Sequence, residues 1–245
     1  MDQLRPAVLE AGAAIMAVYE QLEPEAVAAK ADGSPVTQAD LAAEAILTKA
    51  LQKHAAAIPI VSEENAASHH GKPAERFFLV DPLDGTREFI KADGRGAFTV
   101  NIGLIEHAWP VAGIVHAPVL NQYFVGAANE GAWLNGAPIF ARKPPPEPVA
   151  VASLSHRDAE TDAWLDAHNI KHTRAIGSSL KFGLLAAGEA DIYPRFGPTM
   201  EWDTAAGDAV LRAAGGRVET PHGAPYAYGK AGYRSGSFIA YGAAQ

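Results

Sequence analysis

The chain reads as an α/β protein in two parts, and three observations predict this. Between Phe98 and Val125, short apolar runs follow one another with Gly, Pro and Asn between them, the pattern of a largely antiparallel meander. Beyond residue 148, strand-like and helix-like stretches alternate, which is the α/β signature. Between the two, residues 142–148 hold four prolines in seven positions, a stiff extended connector. The expected division is therefore residues 1–145 and residues 146–245.

The whole chain sets the outer bounds. Its 245 residues, 48% hydrophobic and 20% charged, suit a globular protein with a sizeable core. A formal net charge of -8 argues against broad nucleic-acid binding through a basic surface. It leaves an anionic substrate open, because bound cations invert a local field. With no cysteine there are no disulfides, thiolate metal sites or thiol nucleophiles. No apolar run is as long as a membrane span. The N-terminus lacks a basic segment followed by a continuous apolar core, so no secretory signal is expected. The expected location is the cytoplasm, with peripheral attachment to the cytoplasmic face of the inner membrane left open.

In chain order, Leu4, Val8, Leu9, Ile15 and Met16 form a helical stripe that Pro24 stops. Asp32-Gly33-Ser34-Pro35 is a turn cluster. Thr37 then N-caps a helix with Asp40 three residues on, close to a capping box, and the helix runs to about His54. Asp40 by itself reads as a helix-start carboxylate favoured by the dipole. Residues 58–61 make a short strand ended by Ser62-Glu63-Glu64-Asn65. Residues 66–75 form a polar loop in which His69 and His70 are expected to face solvent.

Phe77-Phe78-Leu79-Val80 is a buried strand that Pro82 should end, since proline donates nothing to a sheet ladder. Asp81-Pro82-Leu83-Asp84-Gly85-Thr86 follows. Two carboxylates on a tight turn at a rigid strand end suit a hard cation such as Mg²⁺. The backbone N–H groups of Gly85 and Thr86, at a helix start, suit a phosphate. Alone, the turn reads equally well as a plain polar connection. The loop of aspartate-nucleophile phosphatases has one residue between its aspartates, whereas this one has two.

Further strands fall within 98–105, 111–115 and 122–125, with a hairpin at Asn135-Gly136. Past the connector come a strand at 149–152, a helix around 161–168, a weak strand at 171–175, a helix opened by Gly177-Ser178-Ser179-Leu180-Lys181, and a strand at 190–193. Glu201-Trp202-Asp203-Thr204 then leads into a helix that stops at Gly215-Gly216. Asp203 sits near that helix's N-terminus, where Ala205, Ala206 and Gly207 leave room for close approach. The tail holds one strand, 237–241.

Together and in this order, Asp40, Glu63-Glu64, Asp81 to Thr86, and Trp202-Asp203-Thr204-Ala205 resemble the lithium-sensitive, magnesium-dependent phosphomonoesterase superfamily. That superfamily includes inositol monophosphatase, fructose-1,6-bisphosphatase and the 3'(2'),5'-bisphosphate nucleotidases. The resemblance spans residues 30–216. Asp-Gly-Ser-Pro-Val-Thr (32–37), Gly-Thr-Arg-Glu-Phe-Ile (85–90), Gly-Ser-Ser-Leu-Lys-Phe (177–182) and the stretch 193–203 are closest to the bacterial CysQ-type nucleotidases. Arg87 stands where those usually carry lysine, a departure that keeps the positive charge.

The resemblance implies a layered αβαβα sandwich with the site between an N-terminal α+β half and a C-terminal α/β half. It implies Mg²⁺, two ions with room for a third near Glu63. One would be held by Glu63, Asp81 and the Leu83 carbonyl, the other by Asp81, Asp84 and Asp203. Asp40, Glu63 and Thr86 would be catalytic, with Thr86 orienting the attacking water and Asp40 accepting its hydroxyl hydrogen bond. Leu83, Asp84, Gly85, Thr86 and Asp203 would surround the scissile phosphate. Ser178, Lys181 and Arg195 would clamp a second phosphate, and His156 would lie near the nucleotide. The implied partner is a small phosphorylated nucleotide, adenosine 3',5'-bisphosphate, hydrolysed to AMP by a monomer or homodimer. Hydrolysis of inositol monophosphate or a sugar phosphate by the same metal site is the alternative. A catalytically silent phosphate- or metal-binding module is the reading from another class.

Overall fold

In the computed structural model, residues 1–21, 28–29, 35–36, 38–91, 96–155 and 157–243 are described. The expectations for Pro24, the 32–34 turn, the Thr37 cap and His156 lie outside them.

Chain order explains the layers. Helix α1 (Arg5–Tyr19) and helix α2 (Gln38–Ala55) flank a small antiparallel pair, β1 (Ala28–Ala29) and β2 (Pro35–Val36). Strand β3 (Ile60–Ser62) pairs in parallel with β4 (Arg76–Asp84). Helix α3 (Thr86–Lys91) follows at once. An antiparallel meander comes next: β5 (Thr99–Glu106), β6 (Trp109–Ala117), β7 (Gln122–Ala127), β8 (Gly131–Leu134) and β9 (Ala137–Ile139). These strands form one seven-stranded sheet in the order β3-β4-β5-β6-β7-β8-β9. The β8–β9 turn uses Asn135 and Gly136, both at positive φ, as an Asn-Gly hairpin requires.

Past the proline stretch run β10 (Val149–Ser153), α4 (Ala159–Ala167), β11 (His172–Ile176), α5 (Leu180–Ala186) and β12 (Ile192–Arg195). Then come β13 (Thr199–Met200), α6 (Ala205–Ala213), β14 (Arg217–Glu219), β15 (Arg234–Ser235) and β16 (Phe238–Tyr241). A five-stranded sheet has the order β11-β10-β12-β16-β14, and β13 pairs with β15 separately. Asp158 caps α4 by accepting from the Thr161 N–H at 2.8 Å.

Side-chain alternation along β4 assigns the layers. Phe78 and Val80 face Val8, Ile15, Leu47 and Leu51 of α1 and α2 in one buried cluster. Phe77 and Leu79 point the other way, into a cluster with Phe182 of α5, Val210 of α6, and Tyr193 and Phe238 of the second sheet. Leu165 of α4 closes the far side against Ala150, Ile192 and Ile239. The stacking is helices, sheet, helices, sheet, helix, which is the layered sandwich expected.

Helix α6 lies unusually close to the first sheet. A Cβ on Gly113 would sit 2.2 Å from the Ala206 carbonyl oxygen, and one on Gly126 would sit 2.8 Å from the Val210 Cα. Glycine in these strands, facing alanines on the helix, removes the side-chain layer that normally separates helix from sheet. The first turn of α6 is thereby seated on β5, where a Cβ on Gly103 would meet the Ala205 Cβ at 2.8 Å, one strand away from Asp81 and Asp84.

The end of β4 and the tail differ from expectation, and the short strands β13 and β14 were not expected. Strand β4 does not end at Pro82 but runs through to Asp84, with a register shift against β5 between Asp81 and Asp84. Pro82 is tolerated because it falls in that irregularity, and β3 on the other side reaches only Val80. The tail holds β15 as well as β16; two residues are too few for a legible alternation.

Candidate active site

The site begins at the end of β4. Asp81 is buried, and its Oδ1 accepts the Leu83 N–H at 3.1 Å, which locks the carboxylate onto its own turn. Asp84 comes from the other end of the register shift. Its Oδ2 accepts the Ser179 N–H at 2.5 Å and lies 2.8 Å from the Ser179 hydroxyl. Gly85 then takes φ 94°, and a Cβ there would meet the Ala97 carbonyl oxygen at 2.9 Å, so glycine is required where strand turns into α3. The Thr86 hydroxyl donates to the Leu83 carbonyl at 3.2 Å and not to Asp40 as the resemblance implied, because the turn after Asp81 brings that carbonyl back over the start of α3.

Asp203 reaches the site from the start of α6. Its Oδ2 accepts the Met200 N–H at 3.0 Å and the Thr199 hydroxyl proton. Ser179 ties it to Asp84: the same hydroxyl lies 2.5 Å from the Asp203 carbonyl oxygen. Glu63 arrives from the end of β3. One oxygen each from Glu63, Asp81 and Asp203 lies within 4.8 Å of the others. Asp40, at the start of α2, is buried behind them rather than on the cavity wall.

Crowding these groups has an electrostatic consequence. Burial pushes the Asp81 carboxyl well above the carboxylate range, and the charges of Glu63, Asp84, Asp203 and Asp40 push the same way. Asp84 is pushed up to about 6, chiefly by burial and then by Asp203, with Lys181 and the Ser179 hydrogen bonds pulling down. Four carboxylates (Glu63, Asp81, Asp84 and Asp203) in one cavity make a site that a divalent cation would neutralise. The donors are all hard oxygens, which fits Mg²⁺.

The same cavity also carries cationic side chains, Lys181 and Arg195 among them. Lys181 is buried on α5, donates to the carbonyls of Ser178 at 2.5 Å and Ile176 at 3.3 Å, and lies 5.0 Å from the centre of the Tyr193 ring. Arg195, at the end of β12, donates from Nη2 to the Pro198 carbonyl at 2.9 Å. Its Nε is buried and has no hydrogen-bond partner among the described residues. The cavity, about 240 Å³, is lined by Glu63, Asp81, Leu83, Asp84, Gly85, Thr86 and Asp203 together with Ser178, Lys181 and Arg195.

Of the described candidate site residues, all but Asp40 line this cavity. Sequence reasoning missed Ser179, Glu88 and Thr199. Ser179 was present in the Gly-Ser-Ser stretch, but which serine faces the aspartates depends on Ser178 taking φ 50°. Glu88 is buried on α3 and accepts the Ser155 hydroxyl at 2.5 Å, joining the first half of the chain to the second. His69 corrects an expectation. It does not face open solvent; its ring stacks on Trp202 at 4.7 Å between centroids.

With this geometry in hand, comparison with known proteins is decisive. A family model described as the inositol monophosphatase family matches residues 2–243. The chain belongs to the inositol monophosphatase family. Among curated members of that family's relatives, the 3'(2'),5'-bisphosphate nucleotidase CysQ of Escherichia coli (strain K12) is 46% identical over 233 residues, covering 93% of each chain. The protein of the same name from Shigella flexneri matches equally, at 46% over 233 residues and 93% of each chain. Among solved structures, CysQ from Bacteroides thetaiotaomicron, described as a bacterial member of the inositol monophosphatase family, superposes with a TM-score of 0.85 at 34% identity, covering 99% of this chain and 97% of that one. Among the described residues, no helix of this family member is long and apolar enough to cross a membrane.

Proposed function

We propose that this member of the inositol monophosphatase family is a 3'(2'),5'-bisphosphate nucleotidase that hydrolyses adenosine 3',5'-bisphosphate to AMP and phosphate. The observation that carries the reading is that one cavity holds both kinds of charge: four carboxylates, Lys181 and Arg195 line it together with the Gly85-Thr86 turn. A substrate with two phosphates suits such a cavity, one phosphate near the carboxylates and their cations and the other near Lys181 and Arg195. The CysQ relatives support the same choice of substrate.

Glu63, Asp81, the Leu83 carbonyl, Asp84 and Asp203 would hold two Mg²⁺ ions, with a third near Glu63. Bound magnesium supplies an acidified water and neutralises charge on the phosphoryl oxygens. The chain's own residues orient the reactants. Thr86 directs its proton to the Leu83 carbonyl, so the hydroxyl oxygen is open to accept a hydrogen bond from an attacking water. Asp40 and Glu63 assist that alignment. The N–H groups of Gly85 and Thr86 bind the phosphate to be released. Arg195, with an unpaired buried Nε, takes the second phosphate together with Ser178 and Lys181. By the same reading the enzyme is lithium-sensitive, acts in the cytoplasm on a by-product of sulfate assimilation, and works as the two halves 1–145 and 146–245 meeting at the cavity.

The test is phosphate release with Mg²⁺ from adenosine 3',5'-bisphosphate beside inositol 1-phosphate, each with and without lithium. Preference for the nucleotide, abolished by chelator and weakened by lithium, is expected. Preference for inositol 1-phosphate would keep the metal chemistry and overturn the assignment of Lys181 and Arg195.

A further inference from the structure

We propose that His69 is a positioning residue that sets the spacing of Glu63 and Asp203 for the metal. The inference rests on the reading above that these carboxylates hold a cation.

The backbone at Glu63 poses a structural problem. Strand β3 is the edge of the seven-stranded sheet, so Ser62 has a sheet partner, Val80, on one side only. The outward N–H and C=O of Ser62 need partners from elsewhere. The short helical turn Ala66–His69 supplies both. The Ser68 hydroxyl accepts the Ser62 N–H at 3.1 Å and donates onward to the Asn65 carbonyl at 2.6 Å. The His69 Nε2 lies 2.7 Å from the Ser62 carbonyl oxygen. A carbonyl only accepts, so Nε2 carries the hydrogen. The residue before Glu63 is thus held on its open side by two consecutive side chains.

The same imidazole faces the other segment. Its ring stacks on Trp202 with an interplanar angle of 26°, and Trp202, which is buried, immediately precedes Asp203. One side chain therefore grips the neighbours of two carboxylates that lie far apart in sequence and within 4.8 Å of each other. Those carboxylates repel. A brace fixed to both turns resists their separation, so less ordering is left for the cation to impose when it binds. Partners that orient ligands in this way typically contribute about 10–100-fold in metal affinity.

Plain loop packing predicts something different: removing the ring would lower stability and leave metal affinity alone. The experiment is Mn²⁺ binding to substrate-free protein, read by electron paramagnetic resonance, beside the Mg²⁺ half-saturation of activity. It uses the native chain, His69→Ala, His69→Phe, which keeps the stack, and His69→Gln, which keeps a donor. His69→Ala should weaken Mn²⁺ binding about tenfold, with the other two variants in between and activity recovering as Mg²⁺ is raised. Mn²⁺ binding as tight as native in variants that melt at lower temperature would overturn the inference and leave the metal site standing. Should His69→Ala fail to fold, the Phe and Gln variants carry the same comparison. Native protein that binds no Mn²⁺ would overturn the metal-site reading itself.

Discussion

Replacing Gly113 by alanine probes how the seat of helix α6 controls Asp203. The added Cβ would lie 2.2 Å from the Ala206 carbonyl oxygen, where real Cβ atoms stay beyond 3.0 Å, so helix and sheet must part by about 0.8 Å. Both sides of the contact are backbone, so no side chain can swing aside. Overpacking of this kind costs about 1–3 kcal/mol, or roughly 2–12 °C in melting temperature for a chain of this size. Asp203 is two residues before the first turn of α6, and a displacement near 1 Å in a reacting constellation costs about 10²-fold in rate. We therefore expect Gly113→Ala to fold, to require more Mg²⁺, and to lose about 10²-fold in kcat/KM. Gly126→Ala is the control: its Cβ would meet the Val210 Cα at 2.8 Å, a milder clash further along the helix. It should lose stability with a much smaller loss of activity. Steady-state phosphate release at several Mg²⁺ concentrations, with thermal melts, makes the comparison. Native Mg²⁺ dependence and rate in a Gly113→Ala protein whose melting temperature has dropped would refute the idea that the helix seat aligns Asp203.

Three other outcomes are expected. Because Asp84 is raised to about 6 in the metal-free protein, the folded state holds a proton that the unfolded chain releases near pH 4. Stability in chelator should fall as pH rises from about 4 to about 6; Asp84→Asn should lessen this fall, Asp81 and Asp208 being raised as well, while losing at least about 10²-fold in phosphate release, and melts that climb steadily through the window would contradict it. Arg195→Lys keeps the charge and loses the planar fork, so KM for adenosine 3',5'-bisphosphate should rise about tenfold while inositol 1-phosphate turnover stays put; equal changes for both substrates would place Arg195 outside the second-phosphate clamp. Arg142 forms paired hydrogen bonds of 2.7 and 2.9 Å to Asp191, whose side chain is fully buried. Arg142→Ala should cost about 1–3 kcal/mol by urea unfolding without affecting catalysis, since the Val149 N–H remains on that carboxylate.

Part of the site is legible in the sequence. Asp81, Asp84, Gly85 and Thr86 stand where a strand end, a tight turn and a helix start follow within six residues; alone they read equally well as a polar connection, and the order of the motifs along the chain tips the balance. The meander with its Asn-Gly hairpin and the alternation after residue 148 are legible because their signals are local. What failed was also specific. Pro82 signalled a strand end, and the strand continued, because a register shift against β5 spared it a ladder bond. His69 looked like a solvated loop residue because its partners, Ser62 and Trp202, come from two different segments.

Residue type and short spacing point to the candidate groups: the carboxylates, the threonine, and the small residues that permit close packing. That Lys181 is buried is not legible there. How these groups meet depends on tertiary packing. The β3–β4–β5 register brings Glu63 beside Asp81. The glycine-lined groove of β5, β6 and β7 lets α6 deliver Asp203 to the same spot. The Ser179 bridge selects which side of α5 faces Asp84. Distances between segments depend on register and packing summed over the whole core, and no single stretch of sequence contains that sum.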